Sequence, residues 1–531
     1  MGRGLSCNLS GRYIGPVERF TEAVEKRDAA GLRVLLAAHP DLREAINQPL
    51  FHSEPAIVFS RRDRAMVDVL LDFGADINAR SQFWGRTVGV LDENTPQMCE
   101  YLIERGALPE IDDLVESVRA GNVAAVRSLV DKTPALRLYI NRPLFPFGAQ
   151  AIVAAKDNRE MVDTLLEFGA DINVRSDWWA GGFGVLDNTN PEQAAWLIRR
   201  GAIVDIHAAA ALGMIDKVKE WLANDPSLVH ARGGDGQRPL HFASTKEIID
   251  LLLEHGAEIN ARDIDHQSTA AQYKVQDHEL CRHLIARGAD IDIFMAAALG
   301  DRDLVERALA EDPDSIKAHI GESGYASVPP GHIYQWKLTG GPSVLTVAAN
   351  DGGREIYDFL LGRSPLKEQF LAACQLADET GAARALAASP NLLKELTIAE
   401  HAHIGRAASS HNLAGLQLML ELGFDVNTRG GEGFTPVASA ALRGDVGVVQ
   451  VLIERRADLE IRNDYGGTAL DTCQWGSLNF RDRNGDYPAC AEALLKGGAK
   501  LYYPHFGSEA VQAVLQRYSE PTGQSSPLTR T

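Results

Sequence analysis

Nine residues, Leu165-Leu166-Glu167-Phe168-Gly169-Ala170-Asp171-Ile172-Asn173, return in altered form from one end of the chain to the other, at residues 70–78, 252–260, 284–292, 419–427 and 452–460. A chain that keeps returning to one short phrase is not organised around a single centre. Each copy belongs to a small unit that buries its apolar face only by stacking on the next, so the fold is an array. At 531 residues the length would otherwise allow three or four separate domains, and the repetition selects one long solenoid.

The unit is clearest at residues 233–260. It opens on the turn-forming cluster Gly233-Gly234-Asp235-Gly236, and the following Gln237-Arg238-Pro239-Leu240-His241-Phe242-Ala243 reads as a short helix with proline in its first turn, where a missing N–H costs nothing. A second short helix, Ile248-Ile249-Asp250-Leu251-Leu252-Leu253, ends at His255-Gly256, because glycine takes the left-handed conformation that closes a helix C-terminus. At these residues the chain resembles the ankyrin repeat family, whose pattern is Gly-x-Thr-Pro-Leu-His-x-Ala-Ala followed by Val-x-x-Leu-Leu-x-x-Gly-Ala-Asp-Ile-Asn. Gly433-Phe434-Thr435-Pro436-Val437-Ala438, continuing through Leu452-Ile453-Glu454-Arg455-Arg456-Ala457-Asp458, matches similarly well. The resemblance runs from about Val17 to Tyr502 and implies an all-α ankyrin-repeat solenoid of helix-turn-helix units with β-hairpin fingers, about fifteen repeats in all.

A longer period lies over the shorter one. Five units end in a proline-marked turn at Pro40, Pro134, Pro226, Pro313 and Pro390, spaced 94, 92, 87 and 77 residues apart. The first two modules are near copies: Asn47-Gln48-Pro49-Leu50-Phe51 returns as Asn141-Arg142-Pro143-Leu144-Phe145, and Gly89-Val90-Leu91-Asp92 as Gly184-Val185-Leu186-Asp187. Between Ile320 and Ser343 a long insertion replaces the expected finger, and a change of superhelix direction over residues 320–368 would divide the array into two lobes. The expected organisation is a leader at 1–16, repeats at 17–320 (three three-repeat modules and the start of a fourth), the finger insertion at 321–342, repeats at 343–502, a capping helix within 503–520 and a disordered tail at 521–531. The cap is expected at residues 508–518, with Val511, Val514, Leu515 and Tyr518 on one side.

Composition narrows the partners. A formal charge of −19 repels a phosphate backbone, so the expected partner is another protein or peptide, cationic or neutral, and neither nucleic acid nor membrane. Six cysteines without paired spacing suit a reducing, cytoplasmic setting, and no apolar run reaches the roughly 20 residues that cross a bilayer. The opening Met1-Gly2 fits the loose pattern for N-myristoylation, against the plainer reading of an unstructured leader. The chain is expected to act as a monomer.

Two sets of residues stand out as candidate contacts. Aromatics fall where fingers should project, at Phe83-Trp84, Trp178-Trp179, Tyr334 with Trp336, and Tyr465 with Trp475. In a row they would form a ledge of rigid apolar anchors, unless each packs on its neighbour. Asp92-Glu93-Asn94 and Asp187-Asn188 stand where the first helix should begin; they read as solvated helix starts capped by asparagine, as a grip on a cationic ligand, or as an acid–base pair. The asparagines of the recurring phrase, Asn78, Asn173, Asn260 and Asn427, are expected to stabilise their own turn. His401-Ala402-His403 lacks the spacing of a metal site, and no catalytic set, metal site or cofactor motif completes itself in the sequence. The expected function is a non-enzymatic scaffold, gripping its partner with groove and fingers. The alternative is an enzyme or small-molecule binder whose pocket, lined by Asp92, Asp187, His332 or Tyr334, is covered by the 321–342 insertion.

Overall fold

A computed structural model describes residues 15–51, 53–82, 87–92, 94–321, 327–329, 331–338, 342–480, 482, 484–502 and 506–519. The leader up to residue 14, with Gly2, and the tail from residue 520 lie outside the described residues. The chain is mostly helical, and its contacts divide it into two compact units, Met1–Pro239 and Leu240–Thr531. Residues 320–368, where a change of superhelix direction was expected, lie inside the second unit.

The recurring phrase is the end of a helix and the turn that leaves it. In Arg159–Glu167, Asn158 caps the start by accepting from the Met161 N–H at 3.1 Å, and Met161, Val162, Thr164 and Leu165 are buried. The helix closes through Gly169, at φ +94°, with the Ala170 N–H returning to the Leu165 carbonyl at 2.9 Å. A side chain at Gly169 would meet nothing within 4 Å, so the backbone angle alone demands glycine. Arg64–Asp72 repeats the design one module earlier, with Asp63 as cap, Met66, Val67, Val69 and Leu70 buried, and Gly74 at φ +96°. Each fully buried large aliphatic side chain contributes roughly 1.5–3 kcal/mol, against about 1 kcal/mol for a cap. Stacking, not helix propensity, holds these nine-residue helices.

Beyond the glycine, aspartate and asparagine have separate tasks. Asp171 Oδ1 accepts from the Asn173 N–H at 2.9 Å and so fixes the local turn. The Asn173 amide reaches into the next unit instead, donating from Nδ2 to the Gly201 carbonyl (3.1 Å) and accepting at Oδ1 from the Ile203 N–H (2.8 Å). Asn78 makes the same pair with Gly106 and Leu108, Asn47 with Gly74 and Asp76, and Asn141 with Gly169 and Asp171. In the second unit, among the described residues, Asn260 and Asn427 make one such bond each, accepting from the N–H of Asp290 and Asp458. These asparagines are staples between successive repeats, where the sequence suggested a purely local role.

Among the described residues the first unit carries one apolar cluster from Phe20 to Ala107 and another from Ile111 to Ala208, which follow its two near-copied modules. The second unit carries a cluster from Phe370 to Leu515, closed by the helix Glu509–Ser519, which buries Val511, Val514 and Leu515. Tyr518, expected on that buried side, is 40% exposed.

The fingers are narrower than β-hairpins. In the finger of module two the backbone bond from the Ser176 N–H to the Phe183 carbonyl (2.8 Å) is doubled by the Ser176 hydroxyl accepting from the Phe183 N–H (2.9 Å). Ser81 and Val88 do the same in module one. The strands among the described residues are His319–Ile320 and Ser327–Val328, paired in parallel at the base of the insertion.

Candidate functional site

Arg175 builds the finger of module two. Its guanidinium donates to the Gly182 carbonyl at 2.8 Å, to Asp187 Oδ2 at 2.9 Å and to Asp205 Oδ2 at 3.0 Å, tying the two arms of the finger to the helix Ile206–Ala211. Asp187 also accepts from the Gly184 N–H at 2.6 Å, so it caps a turn with no helix behind it. Burial pushes its carboxyl above the usual range, although Arg175 and the Gly184 N–H pull the other way. Lys156 donates to the Asp187 carbonyl oxygen. Module one repeats the arrangement: Arg80 pairs with Asp92 and Asp112, Asp92 accepts from the Gly89 N–H at 2.7 Å, and Arg61 donates to the Asp92 carbonyl oxygen. Asp92 and Asp187 are thus not solvated helix starts: each carboxylate is held by an arginine and a backbone N–H. The caps of the following helices are Thr95 and Asn190, one and two residues beyond Asn94 and Asn188, because the chain completes a carboxylate-pinned turn first.

The tip of the same finger is aromatic. Trp179 is 64% exposed and stands beside Trp178, ring centroids 6.1 Å apart. Trp178 is half-buried, edge-on to Phe147 at 5.0 Å, and Phe147 lies 6.2 Å from Phe183. The base is rigid because the chain doubles back at Gly181, whose Cβ would lie 2.1 Å from the Gly233 carbonyl oxygen and whose own carbonyl accepts from the Asp235 N–H. Asp177, next to Trp178, has no cation in ion-pair range among the described residues, and partial burial holds its carboxyl above the usual range. Phe83 and Trp84, the corresponding tip in module one, lie outside the described residues. Below the tip of module two, Asn173, Arg175, Leu186, Asp187, Ala202 and Ile203 help to line a half-open groove of about 200 Å³.

The insertion of the second unit is seated, not suspended. Tyr334 is fully buried and its hydroxyl donates to Asp292 Oδ2 at 2.7 Å, so it corrects the expectation of an exposed finger aromatic. His332 and Ile333 are buried too; the Ile333 N–H donates to the Ser268 hydroxyl at 3.2 Å, and the His266 ring meets the Gly331 carbonyl at 2.7 Å. Trp336 remains 60% exposed, lying on His266 at 4.8 Å between ring centroids. Tyr465 projects from its turn at 74% exposure, but Trp475 lies within the helix Ala469–Asn479 and is half-buried, so it is no part of a finger.

With stacked helix pairs, glycine stops and finger turns in place, comparison with known families decides between them. Residues 206–295 match the model of ankyrin repeats in three copies, and residues 419–473 that of ankyrin repeats in many copies. The chain carries ankyrin repeats. Similar proteins include the ankyrin repeat and SAM domain-containing protein 6 of Rattus norvegicus, 32% identical over 116 residues, which are 21% of this chain and 13% of that one. The serine/threonine-protein kinase VIK of Arabidopsis thaliana is 51% identical over 49 residues, 9% of this chain and 11% of the kinase. Ankyrin repeats generally mediate protein–protein contact. No helix of the ankyrin array among the described residues is long and apolar enough to cross a membrane.

Sequence reading named Trp178, Trp179, Asp92 and Asp187 but missed the arginines that organise them. The signal was present, since Arg80 and Arg175 each precede their aspartate by twelve residues in the duplicated block. Phe147 and Asp177 join the tip only through the fold and left no comparable pattern.

Proposed function

We propose that this ankyrin array is a non-catalytic scaffold that holds another protein through its finger edge, with Trp179 as principal anchor and a basic segment as the favoured partner. The observation that carries this is Trp179, an indole mostly exposed on a base of three further aromatic rings, beside the carboxylate of Asp177, which has no cation in ion-pair range among the described residues. Large rigid side chains with few rotamers to freeze are the usual hot spots of protein interfaces. The indole face with a neighbouring carboxylate suits a guanidinium or ammonium group, and the net charge of −19 favours the approach of a basic partner. Trp336 and Tyr465 are further exposed aromatics of the second unit in the same reading.

An enzymatic role finds less support. Asp92 and Asp187 are engaged by arginines and backbone N–H groups, and the Tyr334 hydroxyl is bound to Asp292. The described part of the insertion packs onto its own unit through buried side chains instead of roofing a cavity. Affinity capture with the wild-type chain, Trp179→Ala and Trp336→Ala tests the proposal. Trp179→Ala should weaken capture of the principal partner by at least about tenfold, the scale of a hot-spot residue. A partner list and salt sensitivity unchanged by both substitutions would overturn it.

A further inference from the structure

The two near-copied modules differ at one junction. In module one the phenol of Tyr139, contributed by the following module, meets the stapling asparagine: Asn78 Nδ2 donates to the Tyr139 hydroxyl at 2.9 Å as well as to the Gly106 carbonyl at 3.1 Å. Around it Asn78 and Arg80 are both buried. Tyr139 stands five residues after Pro134; five residues after Pro226, at the next junction, the chain has Ala231. There, among the described residues, Asn173 Nδ2 donates to the Gly201 carbonyl alone, Asn173 and Arg175 are exposed, and so is Ile203, at 64%. Between them lies the groove of about 200 Å³. The chain thus carries the same amide, the same arginine and the same finger twice, once with a tyrosine upon the amide and once without.

We propose that the groove at Asn173 is a subsite for a tyrosine side chain of the bound protein, with Tyr139 as its intramolecular counterpart. The second Nδ2 hydrogen of Asn173 donates to the incoming phenol oxygen, as that of Asn78 does to Tyr139. Ile203, Ala202 and Leu186 supply the apolar wall for the ring. The volume suits one side chain and falls below the roughly 300–1,000 Å³ of pockets for drug-sized ligands. The hydroxyl matters because a lone phenyl ring would leave the amide hydrogen without a partner once water is displaced. This subsite rests on the reading that the finger edge binds protein, and it names a feature of the partner.

The test uses the full chain and N-acetyl-tyrosinamide, with N-acetyl-phenylalaninamide as comparator, followed by calorimetric titration and saturation-transfer NMR. The wild type should bind the tyrosine amide with a Kd of roughly millimolar order, one equivalent per chain, and prefer it to the phenylalanine amide by roughly three- to tenfold, the value of one hydrogen bond. Ala231→Tyr, checked for native circular dichroism, should fill the groove from within and weaken binding at least tenfold. Tyr139→Ala should open the module-one counterpart and raise the stoichiometry from one to two. Absent binding, equal binding of the two amides, or an Ala231→Tyr variant that binds like the wild type would each overturn the subsite. None of these outcomes touches the Trp179 anchor, whose loss would show only in partner capture.

Discussion

At the scale of single residues, the Asp-x-Asn ending of each phrase combines a local and a long-range task. Asp76 and Asp171 close their own turns, while Asn78 and Asn173 bridge to backbone groups 28–30 residues on. The two staples should differ in weight because burial differs. Asn78→Ala removes a buried side chain with its bonds to Gly106, Leu108 and Tyr139, and should cost about 1–3 kcal/mol; Asn173→Ala, at an exposed site, should cost under about 1 kcal/mol. Denaturant unfolding measures both, and amide exchange at Leu108, whose N–H the Asn78 side chain accepts, should accelerate in the first variant only. Much of this was legible in the sequence: the glycine stop, the paired leucines and the polar turn are all in the phrase. The direction of the asparagine was not, because a side chain that bonds two residues away and one that bonds thirty away leave the same letter. Asp187 illustrates the same limit, since its role depends on Arg175 and on a turn that a single repeat pattern does not describe.

At the scale of elements, the insertion was recognised from its length and its broken rhythm, and the sequence showed two aromatics within it. Which one would point outward was not legible. Residues 334 and 336 both lie in the short helix Tyr334–Lys337, and their fates diverge because Asp292 accepts from the Tyr334 hydroxyl in the interior while Trp336 lies on the His266 ring at the surface. The insertion also carries a titratable fastening. Burial, with Arg262 and His266 nearby, lowers the imidazole of His332 from 6.5 to about 4, and its Nδ1 accepts from the Tyr334 N–H at 3.3 Å, which requires a neutral ring. The folded pKa lies below the unfolded one, so the stabilisation is complete above pH about 6.5 and is lost as pH falls toward 4, by at most about 3 kcal/mol. Trp336 fluorescence should therefore report release of the insertion within that window. His332→Gln should flatten the transition; a transition unmoved by this change would assign it to another group.

For the whole molecule, repetition made the architecture legible and concealed the organisation above it. The near-copied first modules appear as two matching apolar clusters, whereas the division of the chain at Pro239 carries no mark that sets it apart from any other unit boundary. The staples have a mechanical reading as well. Asn47, Asn78, Asn141 and Asn173 each hold the next repeat by two bonds side by side, which share a load applied along the stack and must fail together. Asn260 and Asn427 hold by one. Pulled by its ends in an optical trap, the chain should yield first at the single-bond junctions, and replacing Asn173 by Ala should lower the force of one later step while leaving the first unchanged. The array would then behave as a graded spring, compliant in its second unit and stiff in its first, so that tension on a tethered partner extends one part of the scaffold while the finger at Trp179 keeps its shape.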